Sequence, residues 1–392
     1  MGLQSSGSGG SQDLRVSLQP GSSVTIPLIT GDMSAAVLGT VTEVAGDKVY
    51  GFGHAWNGIG ASQWPMASGY IHTFISRSNM SFKLGDPTEI IGAIQADEAT
   101  GIFGRIGAEA VMVPVQVTVH WAMTGQQEPF SMRIAQDSRI DARLAAMAVI
   151  NAVLQKGDLP IDHTLSYKVK MEFDQTDPFV FENISSDNYV YDLEGDLSGP
   201  MDLLLNNPWK EVKLTSLEVQ ATIYDTNTAA AIRSVRIPQT VYQPGQAVPA
   251  RVVIEPVRQD LREYELLLQL PDDLPEGNYQ INIGSQQAYQ QQMQAAQPQR
   301  FSAFTPKDVQ QILQERLSIR RDKLYISIIM PDSGIAIEET SLPSLPGSKA
   351  MLLTDKSRLA LMRRFQAFAS NSMNTDYIIN GNANLPIEVR KK

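Results

Sequence analysis

Imidazole chemistry is proton transfer or metal ligation, and of the four histidines in this chain only His54 has a setting that suits contact with a ligand. It ends the run Phe52-Gly53-His54, with Gly51, Gly58 and Gly60 close by. Glycine at such positions lets the main chain approach a ligand closely and places the ring at a rim rather than in a core. A purely structural turn histidine is the alternative reading of the same residues. His72 lies in an apolar strand and His120 beside Trp121, so both read as satisfied or half-buried side chains, and His163 reads as a surface residue. No two histidines stand at a helical or hairpin ligand spacing, so no metal site is expected. The chain has no cysteine, which excludes thiol catalysis, disulfide staples and thiolate metal sites.

The elements that must position His54 are short strands cut by Gly, Pro and Asp turns. Residues 23–29, 35–44 and 48–52 read as strands, with Gly46-Asp47 a tight turn between the last two. A Gly-rich loop at 56–65 follows, then strands at 71–75, 90–95 and 111–121. Such regular punctuation predicts a closed β-barrel, ended by a helix over 141–155 with Gly157 as its C-cap. Alternating stretches at 164–173, 212–224, 231–238, 248–257 and 264–270, with turns at Pro244-Gly245 and 271–277, predict an immunoglobulin-like sandwich. The Gln-rich run 286–299 reads as a linker or loose helix. Beyond it a helix at 306–317, a strand at 323–330, a helix at 356–369 and a strand-like stretch within 376–389 make an α+β tail. The fold expected is therefore mainly β. Its domains are a linker at 1–15, a barrel with its helix at 16–157, a sandwich at 158–285, a linker at 286–300 and an α+β region at 301–392.

The run from Ile29 to Val119 resembles the peptidase domain of the SpoIVB family of serine peptidases. The matching residues are Gly31-Asp32, Gly39-Thr40-Val41-Thr42, Phe52-Gly53-His54, Ser81-Phe82-Lys83-Leu84, Ile91 through Asp97, Gly101 through Gly107 and Met112-Val113-Pro114-Val115. This resemblance implies a trypsin-like barrel and peptide-bond hydrolysis by a Ser/His/Asp triad through an acyl-enzyme, without metal or cofactor, with His54 as general base. It also implies a polypeptide substrate and an exported, periplasmic or secreted, protein. The family's nucleophile lies in a Gly-x-Ser-Gly-Ser-Pro turn that also builds the oxyanion hole, and no such run occurs here.

Two segments look like that turn. Ser198, in Gly195-Asp196-Leu197-Ser198-Gly199-Pro200, follows His54 in the family's order, but the apolar run behind it reads as a helix with Ser198 as N-cap and Pro200 in the first turn. Asp332-Ser333-Gly334 reads as a turn between strands. Asp97 and Asp32 are the carboxylates inside the matched region, each also readable as a turn or cap aspartate. The leading expectation is thus the C-terminal portion of a SpoIVB-type endopeptidase, inactive as an isolated chain. Its rival is a non-catalytic binding or scaffold protein of the cell envelope that meets a partner through surface loops or an edge strand. A carbohydrate-binding module would rest on Trp56 and Trp64.

Composition narrows the classes further. Hydrophobic residues at 43% and charged ones at 19% describe a globular chain, and 392 residues suggest two or three domains. A net charge of -10 argues against nucleic acid, which needs a basic face. No apolar run reaches the roughly 18–20 residues of a membrane helix, and the first residues lack a signal pattern. Residues 1–12 read as an expression scar or, the favoured alternative, an inter-domain linker behind a preceding domain.

Overall fold

The computed structural model describes residues 4–5, 17–79, 81–155, 159–186, 189–337, 340–343, 349 and 362–391. The chain divides into two compact units: Met1–Leu159 with Val169–Val180 and Val190–Ala221, and Pro160–Lys168 with Phe181–Tyr189 and Thr222–Lys392. Strand is the dominant element throughout, as the short, alternating segments predict. Among the described residues no helix is long and apolar enough to cross a membrane.

The first part of the chain runs β1 (Gln4–Ser5), β2 (Ser23–Gly31), β3 (Met33–Ala45), β4 (Lys48–Gly51), β5 (Gly60–Ile75), β6 (Phe82–Glu98), β7 (Gly101–Ile106), β8 (Met112–Trp121), β9 (Gln126–Ala135) and α1 (Asp141–Leu154). Antiparallel ladders in the order β2-β3-β4-β7-β6-β5 return to β2, because β2 bonds both β3, at Ser23↔Thr40, and β5, at Val24↔Ser68. The ring closes at the β2–β5 seam, as in a closed barrel, while β5 and β6 extend beyond it as a hairpin from Gly69↔Pro87 to Ile75↔Phe82. Past Pro27, β2 pairs with β9, from Ile29↔Ile134 to Gly31↔Met132, while Ile29 still pairs with Ala35 of β3. Six consecutive buried residues in β2 record cover on both faces, whereas β8 alternates buried and open positions, as a strand with one covered face should.

The chain continues through β10 (Thr164–Phe173), β11 (Phe179–Ser185), α2 (Tyr189–Leu205) and β12 (Leu214–Tyr224). These strands extend the sheet beyond β9 in the order β8-β12-β10-β11. The sequence expectation starts a helix only at Ser198, because Gly195, Gly199 and Pro200 all disfavour helix, whereas α2 begins already at Tyr189. The signal that could have found it is the buried stripe Leu193, Leu197, Met201, Leu204, spaced at helical period.

The rest of the chain supplies β13 (Ala229–Arg236), β14 (Val241–Tyr242), β15 (Ala247–Pro256), β16 (Arg262–Gln269), β17 (Gly277–Gly284), α3 (Gln286–Ala296), α4 (Pro306–Ser318), β18 (Lys323–Ile337), β19 (Thr340–Pro343), β20 (Met362–Asn374), β21 (Ile378–Asn380) and β22 (Asn382–Val389). One sheet has the order β16-β15-β13-β21, the other β14-β22-β17-β18-β19 with β20 on β18. A common core joins them, with Val252, Ile254, Leu266 and Leu268 from the first and Ile281, Ile283, Ile326, Ile328 and Ile387 from the second. The outer face of the second sheet carries α3, where Tyr289 stacks on Tyr325 with ring centroids 4.5 Å apart, beside Met293 and Ile319.

Several sequence expectations differ from these elements. Of the two readings of 286–299, linker or loose helix, the helix is the one present: most of the run is α3, whose N-cap Ser285 accepts from the Ala288 N–H. The helix expected at 356–369 is a strand from Met362 onward, its earlier part lying outside the described residues. There Met, Arg, Gln and Ala, all helix-tolerant, are overruled by a long antiparallel ladder to β18, from Lys323↔Asn374 to Ile337↔Met362. The turn expected at Asp332-Ser333-Gly334 lies inside β18, where the ladder register slips. Strand β17 bonds β18 and β22, so the strands from β13 to β17 and those of 301–392 build one layered structure together, while β10, β11 and β12 belong to the sheet that continues from β8. Helix 306–317 is present as α4, closed by a Thr305–Asp308 capping box. Gly157 and most of 1–15 lie outside the described residues.

Because Ile281 is fully buried between the two sheets, Ile281→Ala is expected to destabilise the chain by about 2–5 kcal/mol. Urea unfolding should show the midpoint falling with little change of slope.

Candidate functional site

His54 stands where a strained turn leaves β4. The Gly53 N–H donates to the Gly51 carbonyl at 2.9 Å across Phe52, whose φ is +71°. This is a γ-turn of the rare hand, with a bulky residue at its centre. Such a conformation costs of order 1–3 kcal/mol and persists only where its surroundings impose it. Here the Phe52 N–H donates to the Thr40 carbonyl at 2.8 Å, and the Phe52 ring fills the space over Gly39, where a β-carbon would lie 2.1 Å from it. Glycine at 39 is therefore a steric requirement of the turn. His54 itself is exposed. Its Nδ1 pairs with the Ala55 carbonyl at 2.7 Å, so Nδ1 carries the proton in the neutral ring and Nε2 keeps its lone pair.

The loop after His54 is held from two sides. Asp97, fully buried at the end of β6, accepts the Trp56 N–H on Oδ1 and the Asn57 and Gly58 N–H groups on Oδ2, each at 2.8 Å. Three backbone donors around one ionised carboxylate form a charge-assisted anchor. On the carbonyl side, Arg139 donates to Ile59 O at 2.7 Å and Ala61 O at 3.0 Å while also gripping Asp137 through Nε and Nη2. Asp137 in turn accepts the Trp64 indole N–H at 3.0 Å. Burial alone would raise the Asp137 carboxyl, but the hydrogen bonds and charge of Arg139 hold it below the usual carboxylate range. Asp141, the buried first residue of α1, accepts the Asp137 N–H on Oδ1, while its Oδ2 has no partner. Burial, with the Asp137 charge added, pushes its carboxyl up to about 7.

The four residues named from the sequence do not converge. Among the described residues no hydroxyl and no carboxylate hydrogen-bonds His54. The oxygens of Asp97 serve the 56–58 backbone, a loop-bracing aspartate in its turn-type reading. Asp32 is likewise a turn residue, with Oδ2 accepting the Ser131 N–H at 2.6 Å. Ser198 is not an N-cap: α2 begins at Tyr189, and Ser198 Oγ donates to the Glu194 carbonyl at 2.7 Å, one turn back. Of the other histidines, His72 is about half-exposed and paired with Asp86 at 2.8 Å, His120 is half-buried, and His163 is half-buried with Nδ1 on the Pro160 carbonyl at 2.7 Å. Trp64 is core, with Trp56 packed edge-on against it at 4.9 Å, so this pair offers no open aromatic platform. No group of acidic or imidazole side chains among the described residues could hold a metal ion.

Sequence reasoning missed the Asp137-Arg139-Asp141 cluster. Its signal is present, since charged residues at alternate positions, Asp137, Arg139, Asp141 and Arg143, lead into an otherwise apolar, Ala-rich helix. Comparison with protein-family models, with curated proteins and with solved structures finds no match.

Asp97→Asn replaces an acceptor oxygen by a donor facing N–H groups. It is expected to lower stability by about 1–3 kcal/mol and to speed proteolytic nicking within 55–59, read by mass spectrometry. For Asp141 the folded-state value, about 7, lies above the ordinary 3.8. Its contribution to stability is full at acid pH and is lost as pH rises through 7. Asp141→Asn keeps the acceptor and removes the buried charge, so its Tm relative to the unsubstituted chain should rise between pH 4 and pH 8.

Proposed function

We propose that this chain is a non-catalytic binding or scaffold protein of the cell envelope, built on a barrel of the SpoIVB-peptidase type and exported. The observation that carries this reading is the engagement of Asp97. In the resemblance it is a candidate triad acid, yet its buried carboxylate accepts three backbone N–H groups. The position of an orienting acid at His54 Nδ1 is taken by the Ala55 carbonyl. Among the described residues no serine hydroxyl bonds the His54 ring, and an imidazole without one to deprotonate performs no acyl transfer. The display surface is then the rigid loop 52–61, braced on the barrel and offered to a polypeptide partner.

A second reading, the C-terminal portion of a serine endopeptidase with His54 as general base, is favoured by the strained Phe52 turn. Strain of this kind gathers at functional sites, and the exposed Nε2 is free to accept a proton. The two readings separate with a fluorophosphonate probe, which attacks serines activated by a base. The scaffold reading expects no labelling of the chain and no hydrolysis of casein. Labelling of any serine that is lost in His54→Ala would sink it and establish the peptidase.

A further inference from the structure

The outer face of the sheet formed by β17, β18, β20 and β22 bears an open cleft of about 430 Å³ beside α3. Its lining includes six primary amides: Asn278, Gln280 and Asn282 on β17, Asn384 on β22, Gln366 on β20 and Gln292 on α3. Ile329, Met330 and Pro331, where β18 bulges, add apolar lining, with Met330 also packed on the inter-sheet core. Among the described residues, no lining residue carries a charge.

The arrangement is costly to the strand that carries most of it. β17 is an interior strand, bonded to β22 on one side and β18 on the other. Tyr279, Ile281 and Ile283 face the core, so Asn278, Gln280 and Asn282 are its successive outward positions. Asparagine is among the residues most depleted from strands, and an outward face normally carries charged or β-branched residues. Where a local preference is set aside without a packing gain, a site is the common reason. One amide contact is internal: Asn282 Nδ2 donates to Asn384 Oδ1 at 2.8 Å from the directly opposed strand position, which pre-orients both groups.

A primary amide presents a donor pair and an acceptor side by side. A set of them, with no formal charge, suits a neutral ligand whose groups donate and accept at short spacing. Vicinal hydroxyls do this, and the C–H face of a pyranose ring suits the apolar lining that Ile329 and Pro331 add. The volume lies within the range of small-molecule sites. We propose that this cleft binds a neutral oligosaccharide, a reading that does not depend on what His54 does. The absence of lining cations disfavours acidic glycans. An extended peptide would require a groove following a strand edge, and the cleft lies on a sheet face.

The test is isothermal titration of the full chain with chitotriose, cellotriose and maltotriose, with trigalacturonic acid and tetra-alanine as the acidic and peptide arms. Saturable binding of at least one neutral trisaccharide is expected. It should weaken about ten-fold in Gln280→Ala and in Gln366→Ala, remain in the barrel variant Tyr70→Ser, and leave circular dichroism unchanged in all three. Three results would each overturn the proposal. These are no binding of any of the three sugars, undiminished binding in the Gln280→Ala/Gln366→Ala double variant, and tighter binding of the acid or the peptide.

Discussion

The burial of one carboxylate organises the region around His54. Asp97 is removed from water, a costly transfer for a charged group unless it is fully bonded, and the three N–H groups of Trp56, Asn57 and Gly58 meet that requirement. The loop can therefore take only conformations that turn those amides inward. Its carbonyls then face the other way, where Arg139 meets them, and Arg139 in turn depends on Asp137 for charge balance. The Phe52 turn is a consequence of the same constraint. With β4 held in the barrel and the 56–58 backbone held by Asp97, the chain between has few residues in which to reverse, and the strain falls on Phe52.

Much of this was legible from residue types. The turn glycines, the strands on either side of Gly46-Asp47, the helix from Asp141 and the exposure of His54 follow from local chemistry. What was not legible depended on long-range pairing. Ser198 looked like a cap because serine followed by Gly-Pro usually starts a helix, while the apolar stripe that begins at Leu193 needs a buried surface to give it meaning. Residues 362–369 satisfy helical preferences better than strand ones, and only the ladder to β18 decides between them. Asp97 illustrates the limit for sites. Its type and position in the matched run suited a catalytic acid, but which hydrogen atoms surround it is set by a loop some forty residues away along the chain.

The two faces of the sheet containing β17 show how one strand can serve separate purposes. Its inward residues complete an aliphatic core. The outer face of the sheet is divided between an aromatic patch on β18 and β20, covered by α3, and the amides of β17 beside that helix, of which Asn278 and Gln280 are exposed and Asn282 is buried. Helix α3 has few apolar residues, and Met293 and Ala296 are the ones it buries. Glutamine elsewhere on it is compatible with standing at the rim of a polar cleft, which accounts for a composition that by itself suggests a linker.

Strand β2 is shared between the closed ring and the sheet that leaves it, bonding β3 and β5 through its first half and β9 through its second. A strand with obligations to both cannot be released from one alone. Opening the ring at the β2–β5 seam would also disturb the β2–β9 ladder, so the two sheets are coupled in a single cooperative transition. In native-state hydrogen exchange that coupling places the β2 amides among the slowest in the unit, protected by global unfolding. The loop around His54, anchored through side chains, should exchange by smaller local openings.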